Sequence, residues 1–150
     1  MMANAFVGSI VTIVDRDLKK LEDEIKLYPT EQSLWTIEGA VKNSAGNLCL
    51  HLCGNLQHYI GAVLGRSGYI RNRDHEFAAR NISRELLISE IDKTRAAVTT
   101  ALETLDPLTL DNDYPEKVFS YSMTTSHFLI HLAAHLGYHL GQINYLRRLL

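Results

Sequence analysis

Proline occurs three times in 150 residues, tryptophan once, and cysteine only twice, at Cys49 and Cys53. So few prolines leave long stretches of chain with nothing to interrupt a helix. Two cysteines exclude a disulfide framework; lying in one apolar run, they read as reduced core thiols of a cytoplasmic protein. Neither sign of charge dominates: 15 Lys and Arg against 17 Asp and Glu give a net charge of −2. The basic residues are scattered, so there is no electrostatic footprint for nucleic acid or for an anionic membrane. Residues 43–65 and 118–146 contain no Asp, Glu, Lys or Arg at all. Either stretch is long enough to span a bilayer, but both are dotted with His, Asn, Gln, Ser and Gly, which are costly in lipid. A bundle interior is the better reading. The opening MMANAFVGSIVTIV has no Lys or Arg before its apolar run and no clear cleavage site, so a signal peptide is not expected.

What is present is helical periodicity. A hydrophobic content of 46% and this length suit one globular domain over residues 1–150. From residue 1 to 27, Phe6, Ile10, Ile13, Val14, Leu18, Leu21 and Ile25 recur at three and four, with charged residues on the other face and Pro29 as the stop. A second helix is predicted from about Ala45 to Leu64, closed by Gly65 and Gly68. A third follows the N-cap Ser83 and runs through Leu105 to Asp106-Pro107. The fourth begins near Thr124 and continues to Leu150. Val118–Met123 is a weak candidate for a short extended piece. The expected fold is therefore all-α, a four-helix bundle whose links at 28–44, 65–82 and 106–123 are long enough for one to cross over or shape a site.

Four histidines, His127, His131, His135 and His139, lie four apart on the last of these helices. That spacing puts neighbouring imidazoles on adjacent turns, where two can grip one metal ion. All four cannot share an ion, because they span about 18 Å of helix. At about 100° per residue, Leu129, Leu132, Leu136, Leu140, Ile143 and Leu150 form the core stripe. His139 and His135 border that stripe, His131 sits at its rim, and His127 faces solvent. On the second helix Cys49, Leu52, Leu56, Ile60 and Val63 make the core stripe, and His51, Asn55 and His58 form a polar stripe beside it. One histidine from that stripe would complete a three-histidine set. Direction alone does not choose between His51 and His58, which differ by about 20°.

The run His135-Leu-Gly-Tyr-His139-Leu-Gly-Gln142, late in a chain of this length, resembles the closing motif of the DinB-like family. Its members are metal-binding four-helix bundles, and relatives include bacterial thiol-dependent transferases. The family pattern has one histidine on the second helix, and Asn47-Leu-Cys-Leu-His51-Leu matches that element, so the resemblance selects His51 over His58. Gly68-Tyr-Ile-Arg-Asn-Arg-Asp74 is similar to one uncharacterised branch. The chain differs from the family pattern at Leu136 and Leu140, where polar residues are usual. The resemblance implies a metal held by His51, His135 and His139.

Three neutral imidazoles with an open fourth position form a catalytic type of site for zinc or nickel. Hydrolysis at such a site usually also needs a carboxylate base, and neither site helix contains Asp or Glu. Asp15, Glu38 or Asp92 would have to supply it. A metal-activated thiol needs less from the protein, since the thiolate is itself the nucleophile. The expectation is a metal-dependent enzyme that transfers a low-molecular-weight thiol to an electrophilic small molecule. A metal-dependent hydrolase and a non-enzymatic, stress-related metal-binding homodimer are the alternatives. Asn55, His58 and His131 are candidate supporting groups. Arg71 and Arg73 could take a substrate carboxylate or phosphate, although pairing with Asp74 or Glu76 is the commoner fate of such residues. Tyr59, Tyr121 and Tyr138 are candidate pocket aromatics, and Trp35 is placed to cover one end of the bundle.

Overall fold

The computed structural model describes residues 4–150; the first three positions of the predicted first helix lie outside the described residues. Helix α1 spans Ala5–Leu27, with Asn4 as N-cap accepting from the Val7 amide. Its buried stripe of Val7, Ile10, Val14, Leu18, Leu21 and Ile25 packs on two later helices. It stops because Tyr28 precedes Pro29 and is pushed to an extended ψ of 133°. The Tyr28 hydroxyl then donates to the Ile143 carbonyl at 2.7 Å, tying this end to the last helix.

Helix α2 spans Ala45–Leu56 behind the N-cap Ser44, and every one of its residues is buried. Absence of charge over residues 43–65 has this structural meaning: α2 is the central rod on which the others pack. The chain continues through a π-helical segment, Gln57–Ala62, where the Val63 amide reaches back to the His58 carbonyl. The left-handed residue that ends it is Arg66, at φ 54°, and Gly68 follows at φ 83°. Gly65 does not close the helix as expected. It lets α4 approach: a Cβ there would lie 2.5 Å from Ala101 Cβ and 2.7 Å from the Gly61 carbonyl oxygen.

The second link contains a short helix that the periodicity did not reveal, α3, Arg73–Ala78, capped by Asn72. Helix α4, Arg84–Glu103, starts at the expected cap Ser83 and ends one turn short of Pro107. A 3-10 turn, Pro107–Asp111, follows. Helix α5, Thr125–Leu149, begins at the cap Thr124. Val118–Met123 forms no strand; the link closes instead through an isolated bridge between Asp113 and Thr124. The result is an all-α bundle of four long helices with one short one, and no strand among the described residues. Leu129, Leu132, Leu136 and Ile143 of α5 are buried as read from the wheel, whereas Leu140 and Leu150 are half-buried. Trp35 lies on Gly46 at the start of α2, and its indole N–H donates to the Ile82 carbonyl. Among the described residues no helix is long and apolar enough to cross a membrane.

The glycines of this scaffold separate by what surrounds them. Gly65→Ala should force α4 away from the π-segment and cost about 1–3 kcal/mol. Gly8 in α1 has nothing within 4 Å of its would-be Cβ. Gly8→Ala should therefore stabilise by about 0.5–1 kcal/mol. Thermal melts should move in opposite directions for the two variants.

Candidate metal centre

Where α2 passes α5, three imidazoles meet. One ring nitrogen from each of His51, His135 and His139 lies within 4.8 Å of the other two. His51 Nε2 and His135 Nε2 face each other at 3.2 Å. Two nitrogens bound to one tetrahedral ion at about 2.0–2.1 Å stand about 3.3–3.4 Å apart, so this pair is already close to the chelating distance. The rings sit edge to face, with centroids 4.6 Å apart for His135 and His139 and 5.3 Å for His51 and His139.

Two of the three outward nitrogens are tied down. His51 Nδ1 contacts Glu76 Oε1 at 3.1 Å, and His139 Nδ1 contacts Gln142 Oε1 at 2.6 Å. An oxygen on Nδ1 fixes the proton there and leaves Nε2 with its lone pair for an ion. Glu76 reaches His51 from α3, a separate element. Asn47, four residues before His51, holds α3 in place by donating from its amide nitrogen to the Glu76 and Ala79 carbonyls, each at 2.9 Å. Gly54 makes room for the carboxylate, because a Cβ at that position would collide with Glu76 Oε2. Arg71 closes the arrangement with a two-point contact: Nε to Oε2 at 2.8 Å and Nη2 to Oε1 at 2.9 Å. Both oxygens of Glu76 are thus engaged.

These surroundings set the charges. Burial raises the Glu76 carboxyl, but hydrogen bonds from His51 and Arg71 outweigh it and hold the group below its ordinary value. His135 is pushed down to about 4, first by burial and then by the neighbouring imidazoles and Arg71. Burial also lowers His139, partly offset by its bond to Gln142. His135 and His139 are therefore neutral near pH 7, the form that binds metal. His135 Nδ1 is buried with no hydrogen-bond partner. No other His, Cys, Asp or Glu joins the cluster among the described residues. The donor set fits a divalent cation with a position left for another ligand.

The other candidates fall in different places. His58 pairs with Glu116 at 3.0 Å; seven residues from His51, it lies about 10 Å further along the helix. His131 is exposed, stacked on Phe128 and 6.4 Å from the His135 ring, and His127 and His75 face solvent. Asn55 is buried beside the site, one turn beyond His51. Arg71 does pair with Glu76, as residues of its kind commonly do, whereas Arg73 lies over the Phe77 ring. None of the three acids considered as a base reaches the triad. Asp15 pairs with Arg95 and Lys19, Asp92 lies near Arg95, and Glu38 is exposed in the first link. Cys49 and Cys53 are buried and free, and the Cys49 thiol is held well above its ordinary value by its contact with Cys53 and by burial. The role of Glu76 toward His51 was not anticipated from sequence. The available signals were Asn72 as an N-cap with acids in the following turn, and Gly54 one turn after His51.

Two clefts flank the triad along α5. One, about 220 Å³, is lined by His51, Asn55, Arg73, Phe119, Phe128 and His135. The other, about 650 Å³ and largely apolar, is lined by Val41, Leu48, Tyr138, His139, Tyr145 and Leu149. Tyr59 and Arg71 also line the first, and Tyr121 lies outside both.

The depressed His135 predicts how the metal-free protein responds to acid. Between pH 6.5 and about 4 the unfolded chain binds the His135 proton and the folded chain does not. Stability must therefore fall as pH is lowered through that window, and His139 adds to the same trend. Melting temperature should drop between pH 7 and pH 5 in the presence of a chelator, and the drop should be smaller in His135→Asn.

Over residues 2–150 the chain matches the family described as "protein of unknown function (DUF1572)". No curated protein matches it. With the match covering all but the first residue, the chain belongs to the DUF1572 family.

Proposed function

We propose that this protein is a metal-dependent enzyme that holds zinc or nickel on His51, His135 and His139 and transfers a low-molecular-weight thiol to an electrophile. The observation that carries the choice of reaction is the state of Glu76. It is the carboxylate beside the triad, and both its oxygens are committed to His51 and Arg71. Among the described residues no carboxylate is left beside the triad to deprotonate a water, which weighs against a hydrolase. A divalent ion at this position would favour the thiolate over the thiol at neutral pH.

The protein's own groups do the rest. Glu76 and Gln142 fix the tautomers of His51 and His139, and burial keeps His135 neutral. The apolar cleft beside His139 suits the electrophile, and the smaller cleft beside His51 suits the thiol. In the transfer, the sulfur–carbon bond forms as the bond from carbon to its leaving group breaks, and the thiol proton passes to solvent. The similarity of the His51 and His135–Gln142 segments to the DinB-like family, with its thiol-dependent relatives, supports the same reading.

Metal analysis of the purified protein after zinc or nickel loading should give one ion per chain, and none in His51→Ala or His139→Ala. Retention in both variants would remove the ligand set. Loss of free thiol in the presence of an activated aryl halide should require the metal-loaded form. Metal without thiol loss would leave a binding module, and ester cleavage in its place would favour a hydrolase.

The same geometry predicts an effect at one remove. Glu76→Gln should weaken metal binding about 10–100-fold without touching a ligand. Gly54→Ala should do likewise by displacing the carboxylate from His51. A competition titration with a chromogenic chelator measures both.

A further inference from the structure

Helix α5 turns an apolar row outward as well as inward. Ile130, Tyr138, Tyr145 and Leu149 are 54%, 67%, 67% and 66% exposed, and Ala134 and Gly141 lie exposed between them. From Thr124 to Leu146 the helix and its cap carry no Asp, Glu, Lys or Arg. Of the two cations that follow, Arg147 is turned to Glu24 and Arg148 lies over the Tyr145 ring at 4.5 Å. A helix facing water normally shows it charge, whereas the cores of protein interfaces are poor in charge and rich in tyrosine.

This row has a centre. Tyr138 and Tyr145 point about 20° apart around the axis and lie equally far from the midpoint between Gly141 and Gln142. Ala134 and Leu149 are equally far from the same midpoint, small opposite large. Helix α1 runs alongside in the same direction. Glu24 bonds Asn144 at an offset of 120 residues, and Asp17 stands by Gly137 at the same offset. Lys20 and Asp23 are therefore level with Leu140 and Ile143, again equally far from Gly141–Gln142. Both are exposed and both line the groove between α1 and α5. Neither has an ion-pair partner among the described residues.

We infer that this face binds a second copy of the chain, the two α5 helices packing antiparallel about a two-fold axis between Gly141 and Gln142. Such an axis lays α1 of one copy over α1 of the other with its direction reversed. Lys20 then faces the partner's Asp23, Tyr138 faces the partner's Tyr145, and Ala134 leaves room for the partner's Leu149. Gly141 has nothing within 4 Å of its would-be Cβ, so the backbones can approach at the crossing. A parallel pair would instead set the charged α1 flank of one copy against the apolar Val41 flank of the other. In the antiparallel pair the two apolar clefts beside His139 face each other, and each gains a wall from the partner copy. The interface stands whether or not the transfer reaction does.

Sedimentation equilibrium of the full chain across micromolar concentrations tests it. The wild type should be a dimer, and Tyr138→Glu a monomer over the same range. Lys20→Asp and Asp23→Lys should each raise the dissociation constant at least about tenfold, because like charges then meet twice across the axis. The double variant should restore the wild-type value. All three positions are exposed, so the variants should keep the wild-type circular dichroism. A monomeric wild type, or a dimer that Tyr138→Glu leaves intact, would overturn the interface. Single charge reversals without effect, or a double variant as weak as either single one, would overturn the antiparallel register.

Discussion

The Glu76 carboxylate, seated against Gly54 and shared by His51 and Arg71, is the contact on which the centre depends. It sits in a buried place where an unpaired charge would be expensive. Arg71 neutralises it, His51 uses its second face, and the backbone of α3 is pinned by Asn47. Removing either partner would leave the other charge buried and alone, a loss of about 3–5 kcal/mol in comparable pairs. The same contact fixes which nitrogen of His51 carries the proton. Fold stability and ligand readiness are therefore set by one arrangement of side chains.

Helix α2 shows how a wholly buried element can still carry chemistry. Its polar members on the site side are Asn47, His51 and Asn55, spaced by one turn each. The first two are fully partnered, Asn47 by Ser44, Arg80 and the carbonyls of α3, and His51 by Glu76 and His135. The third keeps an empty acceptor. Two of the three buried side-chain atoms left without a partner among the described residues, Asn55 Oδ1 and His135 Nδ1, lie at the three converging imidazoles; the other is Arg84 Nε.

Much of this was legible in the sequence, for physical reasons. Four helices, with the cap at Ser83 and the last start near Thr124, follow from periodicity and from side chains that satisfy free amides. The inward position of His135 and His139 follows from a core stripe of leucines on an uncharged helix. His51 and His58 could not be separated by direction, because the angle around an axis says nothing of the distance along it; the axial offset leaves His58 with Glu116. Helix α3 was hidden because six residues make fewer than two turns, too few for a periodic signal. Its carboxylate reaches His51 across a sequence gap of 25 residues, and only the fold brings such a pair together. The π-segment and the role of Gly65 in helix packing were equally invisible, since both depend on α4 lying alongside.

X-ray absorption at the metal edge of the zinc-loaded protein addresses the central claim most directly. Convergence of His51, His135 and His139 on one ion predicts three imidazole nitrogens at about 2.0–2.1 Å with their outer-ring scattering, plus a light atom from solvent. A sulfur neighbour at about 2.3 Å, or a shell with fewer than two imidazoles, would contradict it.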